Sequence, residues 1–360
     1  MIALLRSTDG NPDSRLEKYV DYLEEVNIPY LTICWDRLGN KIETTNKFYF
    51  KRPSEYGKRY GNVLGLIGFN RYIFKVLWEN RKRYNVIHAC DFDTVIPAVL
   101  MHILTRKKVI YDIFDWYVDS RNVKGLFKHI IHFLEFFNIK LSEVVMICEE
   151  ERRRQIIYKP KQLWILPNIP NFKDEMTGYK KNERLTIGYV GILGSGRGLE
   201  NLIRYAKETG KINLKIGGFG ELETLLQDYK SYPNIEYYGS VPYVKALQIL
   251  NSTDVIYAMY EKVNKNHILA APNKYYEGLY LKKPIITTVG TIVGEKTAKY
   301  NTGFVIAETY DDLMNLIGSI DDTLIAEKSI NAANLWEAKY KNYVSDFLSN
   351  IYRPFIEQNQ

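Results

Sequence analysis

The chain has 360 residues, of which 46% are hydrophobic and 25% charged, with a formal net charge of +7. That length allows two cores, since single cores stop growing at roughly 250–300 residues. Cys34, Cys90 and Cys148 are too few and too scattered for a disulfide framework or a zinc site. The longest apolar run, Val95 to Leu104, falls short of the ~20 residues of a membrane span, and the N-terminus lacks a signal-peptide pattern; a cytoplasmic protein is expected. The excess charge belongs to the first half: residues 1–170 hold 27 Lys and Arg against 20 Asp and Glu, and residues 171–360 hold 22 of each.

In chain order, Ile2 to Leu5 reads as a strand, followed by the turn-rich Ser7 to Ser14, an amphipathic helix from Leu16 to Val26 and a strand from Tyr30 to Cys34. Lys47 to Arg83 then contains ten Lys and Arg, nine aromatics and two acids, with a helix from Gly65 to Trp78. Basic groups interleaved with aromatics suit an anionic membrane face; a solvated helix with core aromatics is the plainer reading, and nucleic acid is not expected as a partner. Strands follow at Val86 to Ala89 and Lys108 to Asp112, with a helix from Thr94 to Thr105 between them. Val144 to Ile147 and Leu163 to Leu166 close the series. Asp91, Asp93, Asp112 and Asp115 fall near strand ends, where a carboxylate could receive an acceptor hydroxyl. His88 with Asp91 and Asp93 resembles a metal cluster only loosely, and no metal is expected.

Pro167 to Asn171 and the polar Lys173 to Arg184 have linker composition. The alternation then restarts with a strand at Leu185 to Val190, the loop Gly191-Ile192-Leu193-Gly194-Ser195-Gly196-Arg197-Gly198 and a helix from Leu199 to Lys207. Glycines there let backbone amides approach a diphosphate, and Arg197 can neutralise it with a forked contact. A tight turn with a solvated arginine is the alternative. Strands at Leu214 to Ile216, Ile235 to Tyr238, Val255 to Tyr257, Ile285 to Thr287 and Gly303 to Ile306 complete a second parallel set. Gly217-Gly218-Phe219-Gly220-Glu221 suits close packing beside a ligand. Gly239-Ser240-Val241-Pro242 suits backbone contact with a nucleobase edge, or a simple turn.

The stretch Pro272-Asn273-Lys274 through Glu277 is the most informative. A proline opening a helix leaves free N–H groups and the positive dipole end facing whatever precedes it, which favours an anion. Glu277, one turn in, can accept bonds from sugar hydroxyls. A site for phosphate and hydroxyl groups at a strand–helix junction points to a nucleotide-sugar ligand.

Together these motifs resemble the retaining glycosyltransferases of family 4, with the GT-B fold. The likeness covers nearly the whole chain and is strongest from Ile187 to Ile306. It implies two Rossmann-like doubly wound α/β domains facing across a cleft. Residues 1–170 would bind an acceptor and residues 171–335 a nucleotide sugar, with a C-terminal helix at 336–360 packing back on the first domain. It also implies Arg197, Lys274 and Asp115 as the reacting-centre residues. Gly194, Ser195, Gly196, Gly198, Gly218, Ser240, Val241, Pro272, Asn273 and Glu277 would bind the donor, and Asp91, Asp93 and Asp112 would lie on the acceptor side. Leu269 and Ile192 stand where the family commonly has a glutamate and an arginine, and Phe114 where it often has a histidine. The Pro-Asn-Lys and Asp-x-x-Asp variants resemble enzymes that build bacterial surface polysaccharides on lipid carriers. That subgroup implies a lipid-linked saccharide acceptor at the inner membrane face, with contact through residues 47–83 and no cofactor. A sugar 2-epimerase of the same architecture and a non-catalytic sugar-nucleotide-binding protein are the alternative expectations.

Overall fold

The computed structural model describes residues 1–8, 13–53, 59–156, 158–172, 176, 181–263 and 265–359. Most of the turn-rich segment after Ser7, residues 54–58 of the basic stretch and most of the polar linker lie outside these residues.

The chain forms two compact units, Met1–Pro167 with Val344–Gln360, and Asn168–Tyr343. Unit 1 carries β1 (Ile2–Arg6), α1 (Ser14–Glu25), β2 (Tyr30–Asp36), β3 (Lys47–Lys51), α2 (Arg59–Glu79), β4 (Val86–Cys90) and α3 (Phe92–Thr105). β5 (Lys108–Ile113), α4 (Tyr117–Ser120), α5 (Leu126–Leu141), β6 (Val144–Ile147) and β7 (Leu163–Ile165) follow. The seven strands are parallel in the order β3-β2-β1-β4-β5-β6-β7. The central strands are apolar runs such as Ile2-Ala3-Leu4-Leu5, as expected where helices cover both faces. β3 occupies the start of the basic stretch, where no strand is expected from the sequence; its register pairs Phe48 with Ile33 and Phe50 with Trp35. Phe50 packs on Trp35, Phe69 and Tyr72, and Phe69, Ile73 and Leu77 of α2 are buried. Much of the aromatic content of 47–83 is therefore core.

Unit 2 carries β8 (Thr186–Val190), α6 (Leu199–Thr209), β9 (Asn213–Gly217), β10 (Ile235–Tyr237), α7 (Tyr243–Asn251), β11 (Val255–Tyr257), α8 (Lys265–Ile268) and α9 (Asn273–Tyr280). β12 (Ile285–Thr288), α10 (Ile292–Tyr300), β13 (Gly303–Ile306), α11 (Tyr310–Ser319) and α12 (Asp322–Leu335) complete it. Its six parallel strands run β10-β9-β8-β11-β12-β13. In both sheets the order reverses beside the first strand, which opens a crevice at the carboxyl ends of the strands.

The handover back to unit 1 comes at Val344, later than the change expected after residue 335. Trp336 packs on Tyr280 and Tyr340 on Tyr276, which ties both to α9 in unit 2. The tail, with α13 (Tyr343–Phe347) and α14 (Arg353–Gln358), belongs to unit 1 from Val344 on. Phe347 and Phe355 pack edge-on against Trp164, and Tyr352 is fully buried.

Candidate functional site

At the carboxyl end of the unit 2 sheet the glycines are sterically required. A Cβ on Gly218 (φ +129°) would lie 1.7 Å from the carbonyl oxygen of Gly191, and one on Gly220 (φ +146°) 2.5 Å from that of Leu193. The Gly218 N–H donates to the Gly239 carbonyl at 2.7 Å, and Gly191 N–H to Gly217 at 3.0 Å. Three strand ends are thus laced into one floor. Gly196 is crowded by His267, and Gly198 by the Tyr257 hydroxyl, which donates to its carbonyl at 2.9 Å. Ser195 is exposed, and its N–H donates to Glu221 Oε1 at 2.6 Å. Val241 packs beside Gly217, with Ser240 exposed next to it. Gly194 is half-buried in the same loop.

Pro272 stands one position earlier than a helix-opening proline would: it is the extended N-cap (φ −78°, ψ 147°), and Asn273 is the first residue of α9. The Asn168 amide donates to the Ala271 carbonyl at 2.9 Å and fixes the approach to this cap.

Two cations converge on the helix mouth. The Arg197 guanidinium lies 4.5 Å from the ring centroid of the buried Tyr260, and Lys274 Nζ lies 4.6 Å from that of Tyr189. Burial opposes the Lys274 charge, yet Tyr189, Tyr260 and Glu277 outweigh it and raise its pKa. One turn further, Glu277 is buried and accepts from the Tyr243 hydroxyl at 3.2 Å. Burial pushes its carboxyl above the usual range, while Lys274 and the Tyr243 bond pull the other way. Arg197, Tyr260, Lys274, Tyr189, Glu277 and Tyr243 are therefore contiguous. This set, with two positive groups, an amide-lined floor and an acid, can hold a polyanion with hydroxyls attached.

Three tyrosines in it were not singled out from the sequence. Tyr189 lies in the strand Leu185 to Val190 that leads into the glycine loop and Tyr243 directly follows Pro242, so each had a local signal. Tyr260 had none, in a chain with 29 tyrosines.

In unit 1, Asp91 (φ 65°) caps α3 without a side-chain bond to its first turn. Its Oδ1 accepts from the Phe114 and Asp115 N–H groups at 2.9 and 3.2 Å, and its Oδ2 binds Arg6 Nη1 at 2.6 Å. Burial raises its pKa to about 6 against the pull of Arg6. Asp93 lies in the first turn of α3, not on a strand end, and accepts from Ser7 Oγ and from Arg121 at 2.7 Å. Asp115 is 47% exposed, with Arg15 and Arg152 each 3.8 Å away. Phe114 carries the guanidinia of Arg6 and Arg15 at 4.7 and 4.8 Å from its ring centroid. Buried Arg152, unremarked in the sequence, donates to the Phe114 carbonyl.

Asp112 requires a correction. It does not face an acceptor, because it is buried in β5 and its Oδ2 accepts from Tyr19 at 2.8 Å and meets His88 Nε2 at 3.2 Å. His88 Nδ1 lies 2.8 Å from the hydroxyl of Tyr352 in the tail. Among the described residues, His88, Cys90 and Asp112 are the one group with metal-ligand proximity, but His88 and Asp112 are engaged in these bonds. His88, Asp91 and Asp93 do not gather into the loose cluster suggested by their spacing.

No protein-family model and no curated protein matches the chain. Solved structures do match along its whole length. HepE of Anabaena, in complex with UDP and glucose, aligns with a TM-score of 0.68 at 12% identity, covering 99% of both chains. Sucrose-phosphate synthase of Thermosynechococcus elongatus aligns at 0.72 and 14%, covering 99% of this chain and 100% of the other. WaaG, a glycosyltransferase involved in lipopolysaccharide biosynthesis, aligns at 0.66 and 13%, covering 96% and 98%. With its two parallel sheets and these neighbours, the chain has the GT-B fold of glycosyltransferases.

Proposed function

We propose that this protein is a retaining glycosyltransferase that moves a sugar from a nucleotide diphosphate sugar to a lipid-linked saccharide in the assembly of a bacterial cell-surface polysaccharide. The observation that carries this reading is the pair Arg197 and Lys274, each against a tyrosine ring at the N-terminal mouth of α9, with Glu277 one turn below. The diphosphate would lie between the two cations, over Gly191 and Gly218, with amides of Gly194, Gly196 and Gly198 and of Asn273 beyond the Pro272 cap turned to it, and that of Ser195 joining them on release from Glu221. Glu277 would take the ribose hydroxyls in place of the Tyr243 hydroxyl, and Ser240 and Val241 would meet the base. HepE is described with UDP and with UDP-glucose, which makes uridine the first base to try.

When the glycosidic bond forms, the bond between the sugar's anomeric carbon and the phosphate oxygen breaks, the nucleoside diphosphate departs with the developing negative charge, and the acceptor hydroxyl's proton passes to that departing phosphate. Two preorganised cations and a helix end stabilise that developing charge more than they stabilise the bound donor. No metal is needed in this reading. In unit 1, Asp115 is exposed enough to accept a bond from the acceptor hydroxyl, and Asp91 and Asp93, paired with Arg6 and Arg121, hold the loop that presents it. The protein would work in the cytoplasm, at the inner membrane face, where the cations of 47–83 attract anionic lipid.

The test is a calorimetric screen of nucleoside diphosphates, followed by transfer from the sugar of the best binder to membrane-extracted acceptor, with and without EDTA. Arg197→Ala should lower turnover by about 10²-fold, as loss of one oxyanion donor does. Failure of every nucleotide to bind, or unchanged turnover in the variant, refutes the assignment. Donor alone distinguishes the epimerase reading, which would yield an isomerised sugar without acceptor.

A further inference from the structure

Helix α5 buries one side in unit 1 through Glu135, Asn138 and Ile139. Its other side carries Leu126, Phe127, Ile130, Phe133 and Phe137, all exposed, with Leu126, Phe127 and Phe133 at 74%, 72% and 61%. The steps of four, three and four keep Leu126, Ile130, Phe133 and Phe137 on one helical face, with Phe127, three positions before Ile130, at its edge. The Phe133 and Phe137 rings touch at 4.8 Å, so the row is continuous at that end. α3, packed against α5, adds exposed Leu100, Ile103 and Leu104.

The exposed charged groups of the row and of its N-terminal approach, Lys140 and Lys124, have one sign. Arg121 is paired with Asp93, and the half-buried Lys128, two positions before Ile130, falls on the packed side of the helix. The single acid of α5, Glu135, is buried and accepts two contacts from the Tyr111 hydroxyl, and burial lifts its pKa to about 8. The next acid along the chain, Glu143, is neutralised by Lys108 and Lys161.

An apolar row of this length on a soluble surface marks an interaction site. A second copy of this chain would set these cations against their own kind across a two-fold axis. An anionic bilayer surface satisfies both the aromatics and the cations. At 16 residues α5 is shorter than the ~20 residues of a span, so it would lie in the plane of the interface.

We infer that α5 docks unit 1 on an anionic lipid bilayer, with Leu126, Phe127, Ile130 and Phe133 entering the boundary between headgroups and acyl chains and Lys124 and Lys140 meeting the headgroups. This goes beyond the proposed transfer activity, names a surface outside residues 47–83, and is tested without nucleotide. The full chain is sedimented with vesicles of phosphatidylcholine, pure or mixed with phosphatidylglycerol. It should bind the mixed vesicles and release as salt rises. Phe127→Ser with Phe133→Ser should weaken partition by roughly 100-fold. Lys124→Glu with Lys140→Glu should abolish the preference for anionic vesicles. Neither pair should change the melting temperature or nucleotide binding; if the serine pair melts early, Leu126→Ser at the helix start replaces it. No sedimentation with mixed vesicles, equal binding by the serine variant, equal binding of pure and mixed vesicles, or a dimer in light scattering that the serines disperse would each overturn the inference.

Discussion

Replacing Lys274 by methionine removes one charge from the helix mouth and keeps the length of the side chain. A Cβ on Gly191 would stand 2.6 Å from Nζ, so a phosphate oxygen resting over Gly191 meets this ammonium directly. At about 4 Å and an effective dielectric of 20, unit charges attract by roughly 4 kcal/mol. The net value of a hydrogen bond to a charged group is smaller, about 1.5–3 kcal/mol, since the bound phosphate has left water. UDP should therefore bind about 10- to 150-fold more weakly to Lys274→Met. Glu277 would lose the cation that opposes its burial, so its raised pKa climbs further. In the proposed reading its carboxylate takes the ribose bonds, so the variant's affinity should also fall as pH is lowered through that pKa. Some stability is lost, because Glu277 stays buried without its cation, so the affinity is read well below the variant's own melting temperature. Isothermal calorimetry gives the affinity, and thermal unfolding with UDP gives the same answer independently: at ~100 times the Kd a ligand adds about 2.7 kcal/mol. An unchanged UDP affinity would refute the reasoning, as would a loss seen only near the variant's melting temperature.

Gly218→Ala should cost on the order of 3 kcal/mol, measured by urea unfolding, because the new methyl overlaps the Gly191 carbonyl in a backbone region that L residues avoid; a neutral result would mean that the floor of the site rearranges freely. Glu135 has a folded pKa of about 8 against 4.5, so the native state holds the extra proton between these values. Its stabilisation is full below about pH 4.5 and is lost as pH rises toward 8, with a slope of at most about 1.4 kcal/mol per unit. Glu135→Gln should flatten that slope in melting curves taken between pH 5 and 8; an unchanged slope would show that Glu135 is ionised throughout. Tyr352→Phe leaves His88 Nδ1 buried without its 2.8 Å partner, for a cost of about 1–3 kcal/mol in denaturant titration. Equal stability would mean that the tail is not held to β4 by this bond.

Much of this molecule is written in local pattern. Apolar runs such as Ile2 to Leu5 and Val144 to Ile147, separated by helical periodicity, define parallel α/β units without further help, because the pattern dictates which backbone hydrogen bonds can form and be covered. The glycine positions at Gly218 and Gly220 and the Pro272-Asn273-Lys274 cap are equally legible, since each answers a backbone requirement within a few residues. What local pattern does not carry is which neighbour occupies a given face. Asp112 and Asp115 are three positions apart and read alike, yet one is locked to His88 and Tyr19 and the other reaches solvent. Trp336 and Tyr340 stay with α9 while Val344 and its successors cross to unit 1, a choice made by aromatic partners distant in sequence. Tyr260 is one tyrosine among many until the fold brings Arg197 over it. The aromatics of β3 and α2 turn out to be largely core, while α5 leaves its own in the open. Charge and hydrophobicity are properties of single residues, but burial is decided only when segments far apart along the chain compete for the same surface.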